Sequence, residues 1–190
     1  MYGTAGSAVP SGQGLPIPRI EIVFTSSRDA PLRVRRFLNE LVTVFPNSIK
    51  INRGRQNLKT IFSKSLSLQA KYLVIIDIIK GNPGRFKVYD LITNSLKYYF
   101  RIEGVTLLME LKLPRSQIKR GCLGKVENDK IRSMLLDFGY TYIESCDAYA
   151  YGQYIYRNDK KVFELKFLKD DKILGPIIRF GIDDRNQNNY

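Results

Sequence analysis

The sequence predicts an α/β domain built on a mixed β-sheet, and three observations carry that prediction. Residues 19–79 alternate β-branched runs with two stretches whose apolar residues recur at helical spacing. Tyr72 to Ile79 is a near-continuous apolar run, the pattern of a strand covered on both faces. Beyond Gly84 the chain turns to alternating runs joined by turn residues, the mark of antiparallel hairpins, so parallel and antiparallel pairs must share one sheet.

Arg19 to Thr25 reads as the first strand, followed by the polar loop Ser26-Ser27-Arg28-Asp29. Val34, Phe37, Leu38, Leu41, Val42 and Phe45 then form one apolar stripe along a helix, with Asp29 as its cap, Pro31 in its first turn and Pro46 at its end. Ser48 to Ile51 is a short strand and Asn52-Arg53-Gly54 a turn. A second helix from about Asn57 directs Leu58, Ile61, Phe62 and Leu66 inward.

After the 72–79 strand, Gly81-Asn82-Pro83-Gly84 is a turn, and Arg85 to Leu91 pairs with Leu96 to Glu103 about Thr93-Asn94-Ser95. Val105 to Leu113 reads as a strand and Pro114 to Gly124 as a basic loop. Asn128 to Phe138 is a helix burying Ile131, Met134, Leu135 and Phe138, with Gly139 as its stop. Strands at about Tyr149 to Arg157, Lys161 to Leu168 and Lys172 to Ile182 follow, with Asp159-Lys160 and Asp170-Asp171 as turns. Strand, basic loop, helix and hairpin thus occur in both approximate halves, 19–103 and 104–182, a hint of a duplicated unit. Residues 1–18, rich in Gly and Pro, and the polar residues 183–190 are expected to be flexible tails.

The 190 residues suit one domain, and 44% hydrophobic content excludes wholesale disorder. The absence of His excludes His acid–base catalysis, His-containing triads and His metal sites. Cys122 and Cys146 are too few for a four-thiolate zinc site; they suit reduced thiols in an intracellular protein, a single disulfide being the alternative. No apolar run approaches the ~20 residues of a membrane-spanning helix, and residues 1–18 hold no signal-like segment, so a cytoplasmic protein is expected.

Thirty-one Lys and Arg against eighteen Asp and Glu leave a net charge of +13, which points to a polyanionic partner. The stretch from Arg28 to Lys64 holds nine bases and two acids. Arg33, Arg35 and Arg36 stand in the first turns of a helix, where cations cost the isolated helix roughly a few tenths of a kcal/mol each. A phosphate docked there would reverse that sign. Arg53 and Arg55 flank Gly54 in a loop that lies beside Arg28 if the first two strands are neighbours. The alternatives are a solvated basic face and a plain strand-to-helix connection.

Arg85, Lys87 and Tyr89 alternate onto one hairpin face, as do Lys97, Tyr99 and Arg101 on the partner strand. Cations for phosphates and rings for bases, at about 1–3 kcal/mol per stacked base, would suit nucleic acid; an ordinary solvent-facing strand pair is the other reading. Tyr140, Tyr142, Tyr149, Tyr151, Tyr154 and Tyr156 form either a stacking platform or sheet packing. Arg115, Lys119, Arg120 and Lys125 make a second basic cluster. Gly81-Asn82-Pro83-Gly84 lacks the Lys-Ser/Thr and helix of a phosphate-binding P-loop. Asp170-Asp171 and Asp183-Asp184 suit solvated turns and ends. Asp77 is the one carboxylate around which a metal-dependent nuclease could be imagined, without visible companions.

Thr25-Ser26-Ser27-Arg28 after the opening strand, the Pro31-started basic helix, Ile51-Asn52-Arg53-Gly54, the apolar strand before Lys80-Gly81-Asn82-Pro83-Gly84-Arg85, and Gly175-Pro176 form an ordered series. In order and spacing, from about 19 to 181, it resembles the Brix-domain proteins of ribosome biogenesis. The resemblance implies two similar halves related to the anticodon-binding domain of class IIa aminoacyl-tRNA synthetases. It also implies binding of ribosomal RNA precursors or of other assembly proteins, with neither catalysis nor cofactor. The family's RNA-facing positions carry over to Arg28, Arg53 and Arg55; Arg33, Arg35, Arg36, Arg85, Lys87 and Tyr89 are RNA-binding candidates from the residues alone. Family members often place a base directly after the late Gly-Pro, whereas here Ile177 follows and Arg179 comes two later. Eukaryotic relatives carry long extensions, so this nearly bare domain resembles an archaeal version, expected to be monomeric when free. The alternative function is a protein scaffold holding a peptide of another assembly factor in the cleft between the halves.

Overall fold

In the computed structural model the described residues are 19–143 and 145–182. Their elements are β1 (Ile22–Ser26), α1 (Leu32–Val44), β2 (Ser48–Lys50), α2 (Leu58–Ser67), β3 (Tyr72–Ile79), β4 (Asn82–Asp90), β5 (Ser95–Thr106), β6 (Gly121–Val126), α3 (Asp129–Asp137), β7 (Ala148–Arg157), β8 (Lys160–Lys169), β9 (Lys172–Ile173) and β10 (Ile177–Gly181). The ten strands form one mixed sheet in the order β2-β1-β3-β4-β5-β10-β8-β7-β6, with β9 beside β8. β1 is parallel to β2 and β3, and β6 to β7; the remaining pairs are antiparallel.

One unit occurs twice in that order: strand, helix, parallel strand, then two antiparallel strands. It is β1-α1-β3-β4-β5 in the first instance, with β2 and α2 inserted, and β6-α3-β7-β8-β10 in the second. The two last strands, β5 and β10, pair antiparallel through Thr106↔Ile177 and Val105↔Ile178. Antiparallel pairing of equivalent strands relates the units by an approximate two-fold axis through that seam.

Helices α1 and α3 cover one face and α2 part of the other. Tyr72, Val74 and Ile76 of β3 join the α1/α3 core, whereas Leu73 and Ile75 pack in the smaller cluster with Ile61 of α2. Two-sided burial is why β3 has no polar alternation. Phe45, at the end of α1, meets Phe24, Phe138, Tyr140 and Phe167 with centroids 5.2–5.8 Å away. These rings come from both units, and the Tyr140 hydroxyl donates to the Val44 carbonyl at 2.7 Å.

Several expectations need correction. Asp29 does not cap α1: it lies in the left-handed region (φ 55°), and Pro31 occupies the N-cap without a capping side chain. Only Ile61 of α2 is a fully buried apolar residue; Leu58 and Leu66 are 38% and 54% exposed, because α2 covers only a narrow strip near the sheet edge. The turn after β3 is Lys80-Gly81, both residues at positive φ, so Asn82 and Pro83 already belong to β4. Asn158-Asp159 makes the equivalent two-residue turn between β7 and β8.

Of the expected 105–113 strand only Val105 and Thr106 are extended, as the end of β5. β5 ends at Thr106, and the next amides bond to carboxylates instead of a neighbouring strand: Leu107 to Glu110 and Leu108 to both oxygens of Glu40, all at 3.0 Å. The expected basic loop gives way to β6 at Gly121, whose partner β7 is distant in sequence. The expected 172–182 strand is split into β9 and β10 where Gly175 packs on Val44 and Phe167; a Cβ there would stand 2.3 Å from Val44 Cγ1. The cysteines are joined, Cys122–Cys146, with Cα atoms 5.8 Å apart. Parallel pairing of β6 with β7 puts Cys122 beside the approach to Ala148, within disulfide reach.

Phe45→Ala should destabilise the protein by about 3–5 kcal/mol, read by urea denaturation, because it empties the centre of the ring cluster. Burial raises the Glu40 carboxyl above its ordinary pKa, against the lowering pull of the Leu108 and Met109 amides and Arg115. The native state therefore keeps a proton that the unfolded chain has lost, and stability falls as pH rises from the ordinary to the raised value. Glu40→Gln should abolish that slope in denaturation midpoints measured from about pH 4 to pH 7.

Candidate nucleic-acid interface

The parallel strands β1, β2 and β3 end on the same side of the sheet. Ile51 N–H donates to the Phe24 carbonyl at 2.9 Å, and the Thr25 hydroxyl to the Ile51 carbonyl at 2.8 Å, so the loops after β1 and β2 leave side by side. Ser27 ties the first loop to β3, its N–H donating to Ile76 and its hydroxyl accepting from Ile78. Arg28 therefore leaves next to the loop carrying Arg53 and Arg55. Arg53 Nε donates to the Gln56 carbonyl at 3.1 Å and shapes its turn around Gly54 (φ +53°). Arg28 and Arg55 are exposed, and their side chains make no hydrogen bond or ion pair among the described residues.

The helix-start arginines diverge. Arg33 turns inward, donating to the Val105 carbonyl at 2.8 Å and pairing with Glu110. Arg35 stands by Lys50, whose ammonium donates to Asn39 at 2.6 Å; burial first, then Arg35 and Arg115, lower the Lys50 pKa. Arg36 lies on a groove with Leu32, Met109 and Arg115.

On the hairpin, Arg85, Lys87 and Tyr89 do share one face. There Lys87 and Arg85 flank Asp77, at 2.6 and 3.7 Å, and Tyr89 packs edge-on against Phe62. Lys97 departs from Tyr99 and Arg101: the bulge between Val88 and Tyr89 shifts the register, and Lys97 pairs with Asp137 of α3 at 2.8 Å. Of the tyrosines, Tyr140 is core and Tyr154 packs on Phe163, whereas Tyr149 and Tyr151 lie together with centroids 6.4 Å apart. Asp147 accepts the amides of Arg120 and Lys119, which hold its carboxyl below the usual range. No cluster of three His, Cys, Asp or Glu side chains placed to hold a metal occurs among the described residues, so Asp77 has no partners for metal chemistry.

A cleft of about 850 Å³ lies over the seam, lined by both two-fold-related hairpins. Lys80 enters from the β3–β4 turn and Arg157 and Lys160 from the β7–β8 turn; Arg101 and Arg179 stand on β5 and β10. Glu103 holds Arg101 at 2.6 Å, and Glu164 holds Arg179 at 2.8 Å. Lys80, Arg157 and Lys160 have no ion pair among the described residues. Sequence reading missed this constellation, although the turn residues beside Lys80 and Lys160 were the signal available.

No family model matches the chain. A probable Brix domain-containing ribosomal biogenesis protein of Sulfurisphaera tokodaii is 71% identical over 172 residues, 90% of this chain and 98% of the relative. The chain belongs to the Brix domain family of ribosomal biogenesis proteins. A second Brix relative, from Saccharolobus solfataricus, is 36% identical over 166 residues, 85% of this chain and 98% of the relative. Both are named for ribosome biogenesis and not for an enzymatic activity. The Brix fold is also that of a probable ribosomal biogenesis protein from Aeropyrum pernix K1 (TM-score 0.69, 20% identity, 87% of this chain and 97% of that one). Mil, an archaeal Imp4-like protein, is similar at TM-score 0.61 and 17% identity, over 84% of this chain and 97% of its own. Among the described residues no helix of this Brix protein is long and apolar enough to cross a membrane.

Asp77→Asn keeps the side chain's shape and frees Arg85 and Lys87, so the variant should elute from heparin at higher salt than the parent. Unchanged or earlier elution would show that these two cations do not face a bound polyanion.

Proposed function

We propose that this Brix protein binds ribosomal RNA precursors during processing and subunit assembly, as a cytoplasmic monomer that performs no chemistry on them. The observation that carries the reading is that uncommitted cations come together at two places: Arg28 and Arg55 on adjoining loops, and Lys80, Arg157 and Lys160 at the seam cleft. None of these five forms an ion pair among the described residues, so they keep their charge for an outside partner. Arg53, Arg85 and Lys87 extend the footprint, and Tyr149 and Tyr151 offer rings for sequence-tolerant stacking. Kinship of each half with the anticodon-binding domain of class IIa aminoacyl-tRNA synthetases, implied by the family resemblance, belongs to the same reading. The cations that line the cleft favour a phosphate backbone over the alternative, a peptide of another assembly factor held between the halves.

If about six phosphates are neutralised, log K for a single-stranded ribosomal RNA fragment should fall against log salt with a slope of about −4 to −5. A slope near zero would refute the proposal. Arg28→Glu with Arg55→Glu should weaken binding of unrelated RNA sequences alike, because phosphate contacts position without specifying. Loss confined to one sequence would overturn that assignment. Both are read by fluorescence anisotropy.

A further inference from the structure

A second surface lies on the outer side of α1. There a groove of about 510 Å³ runs between the helix start and the segment after β5, lined by Leu32 and Arg36 on one side and by Met109, Leu113 and Arg115 on the other. Its apolar side chains are open to solvent: Leu32 is 54% exposed, Met109 46% and Leu113 38%. The groove is held open by a built-in anchor. Glu40, buried beneath it, accepts the Leu108 amide with both carboxylate oxygens and fixes residues 107–113 against α1.

Charge specifies what would fit. Among the described residues Glu40 is the only carboxylate lining the groove, and it is committed to that amide. Arg36 and Arg115 are exposed, with no ion pair or hydrogen bond to their side chains among the described residues. Arg35 and Lys50 add further positive charge close by, Arg35 and Arg115 both being near enough to depress the Lys50 ammonium. An occupant must therefore bring its own acids and an apolar face. RNA could answer the two guanidiniums but would leave the apolar side chains of Leu32, Met109 and Leu113 uncovered.

We infer that this groove docks an acidic amphipathic helix of another protein, its Leu-, Ile- or Phe-bearing face over Leu32, Met109 and Leu113 and its carboxylates on Arg36 and Arg115. This is helix-in-groove recognition, with apolar anchors for affinity and a charged rim for choice of partner. It is independent of the RNA reading, which rests on Arg28, Arg55, Lys80, Arg157 and Lys160, none of which lines the groove; of the arginines expected from the sequence to meet RNA only Arg36 does, and the inference reassigns it.

The chain's three methionines supply the test. In the full protein carrying ¹³C-methyl methionine, Met109 reports the groove and the buried Met134 reports the fold, Met109→Leu giving the assignment. The probes are two designed helical peptides of about 16 residues, with one Leu face and either Glu or Lys on the polar face, and an oligouridylate. The Met109 signal should shift saturably with the Glu peptide and not with the Lys peptide or the RNA, while Met134 stays in place. Arg36→Glu with Arg115→Glu should weaken the Glu peptide at least about tenfold and let the Lys peptide bind instead. A Met109 response to RNA in preference would make the groove a nucleic-acid surface and overturn the inference. An equal response to both peptides, or to neither, would overturn it as well.

Discussion

The antiparallel pairing of β5 with β10 is the interaction on which the rest of the molecule depends. It joins two copies of one unit into a single sheet, with Phe180 packing beneath it on Phe100 and Phe86 at 5.1 and 6.0 Å. Without that seam each unit would end in a bare edge strand and an uncovered row of rings. With it, the Phe45 cluster can draw on both units, and two hairpin turns far apart in sequence come to line one cleft.

A chain with this excess of cations must decide where its few acids go, and the structure places them as fasteners. Glu164 is buried between Arg179 and Lys166, Glu110 holds Arg33, Glu103 holds Arg101, and Asp77 holds Lys87. At the buried Glu164–Arg179 pair desolvation offsets much of the attraction, and the other pairs are partly exposed and screened by water, so they contribute little net stability but fix side-chain positions. Cations outside these pairs keep their field, and groups of them lie on the loops after β1 and β2, at the seam cleft and around the α1 groove. The distinction between a structural arginine and an available one therefore lies in the partner and not in the residue type. Arg33 and Arg36 stand three residues apart on one helix, yet Arg33 is held by Glu110 and Arg36 has no ion pair among the described residues.

The segment after β5 shows the same economy in the backbone. Leu107 and Leu108 lie deep in the core, yet their amides have no neighbouring strand, and Glu110 and Glu40 accept them instead. A strand-like run of apolar residues is thereby folded into a tight turn that presents Met109 and Leu113 outward.

By itself the sequence determined the α/β class, the three helices, the central strand and most hairpins, because those follow from local spacing: the α1 stripe from Val34 to Phe45, the apolar side and Gly139 stop of α3, and the apolar run of β3. It also placed Arg28 beside Arg53 and Arg55, because neighbouring parallel strands put their following loops at one end. Only the tertiary structure decided the β5–β10 seam, the strand at Gly121, the Cys122–Cys146 bridge, the inward turn of Arg33 and the meeting of Lys80 with Arg157 and Lys160. Each of these rests on contacts between residues distant along the chain, and such contacts are set by which faces remain to be buried once the local elements have formed.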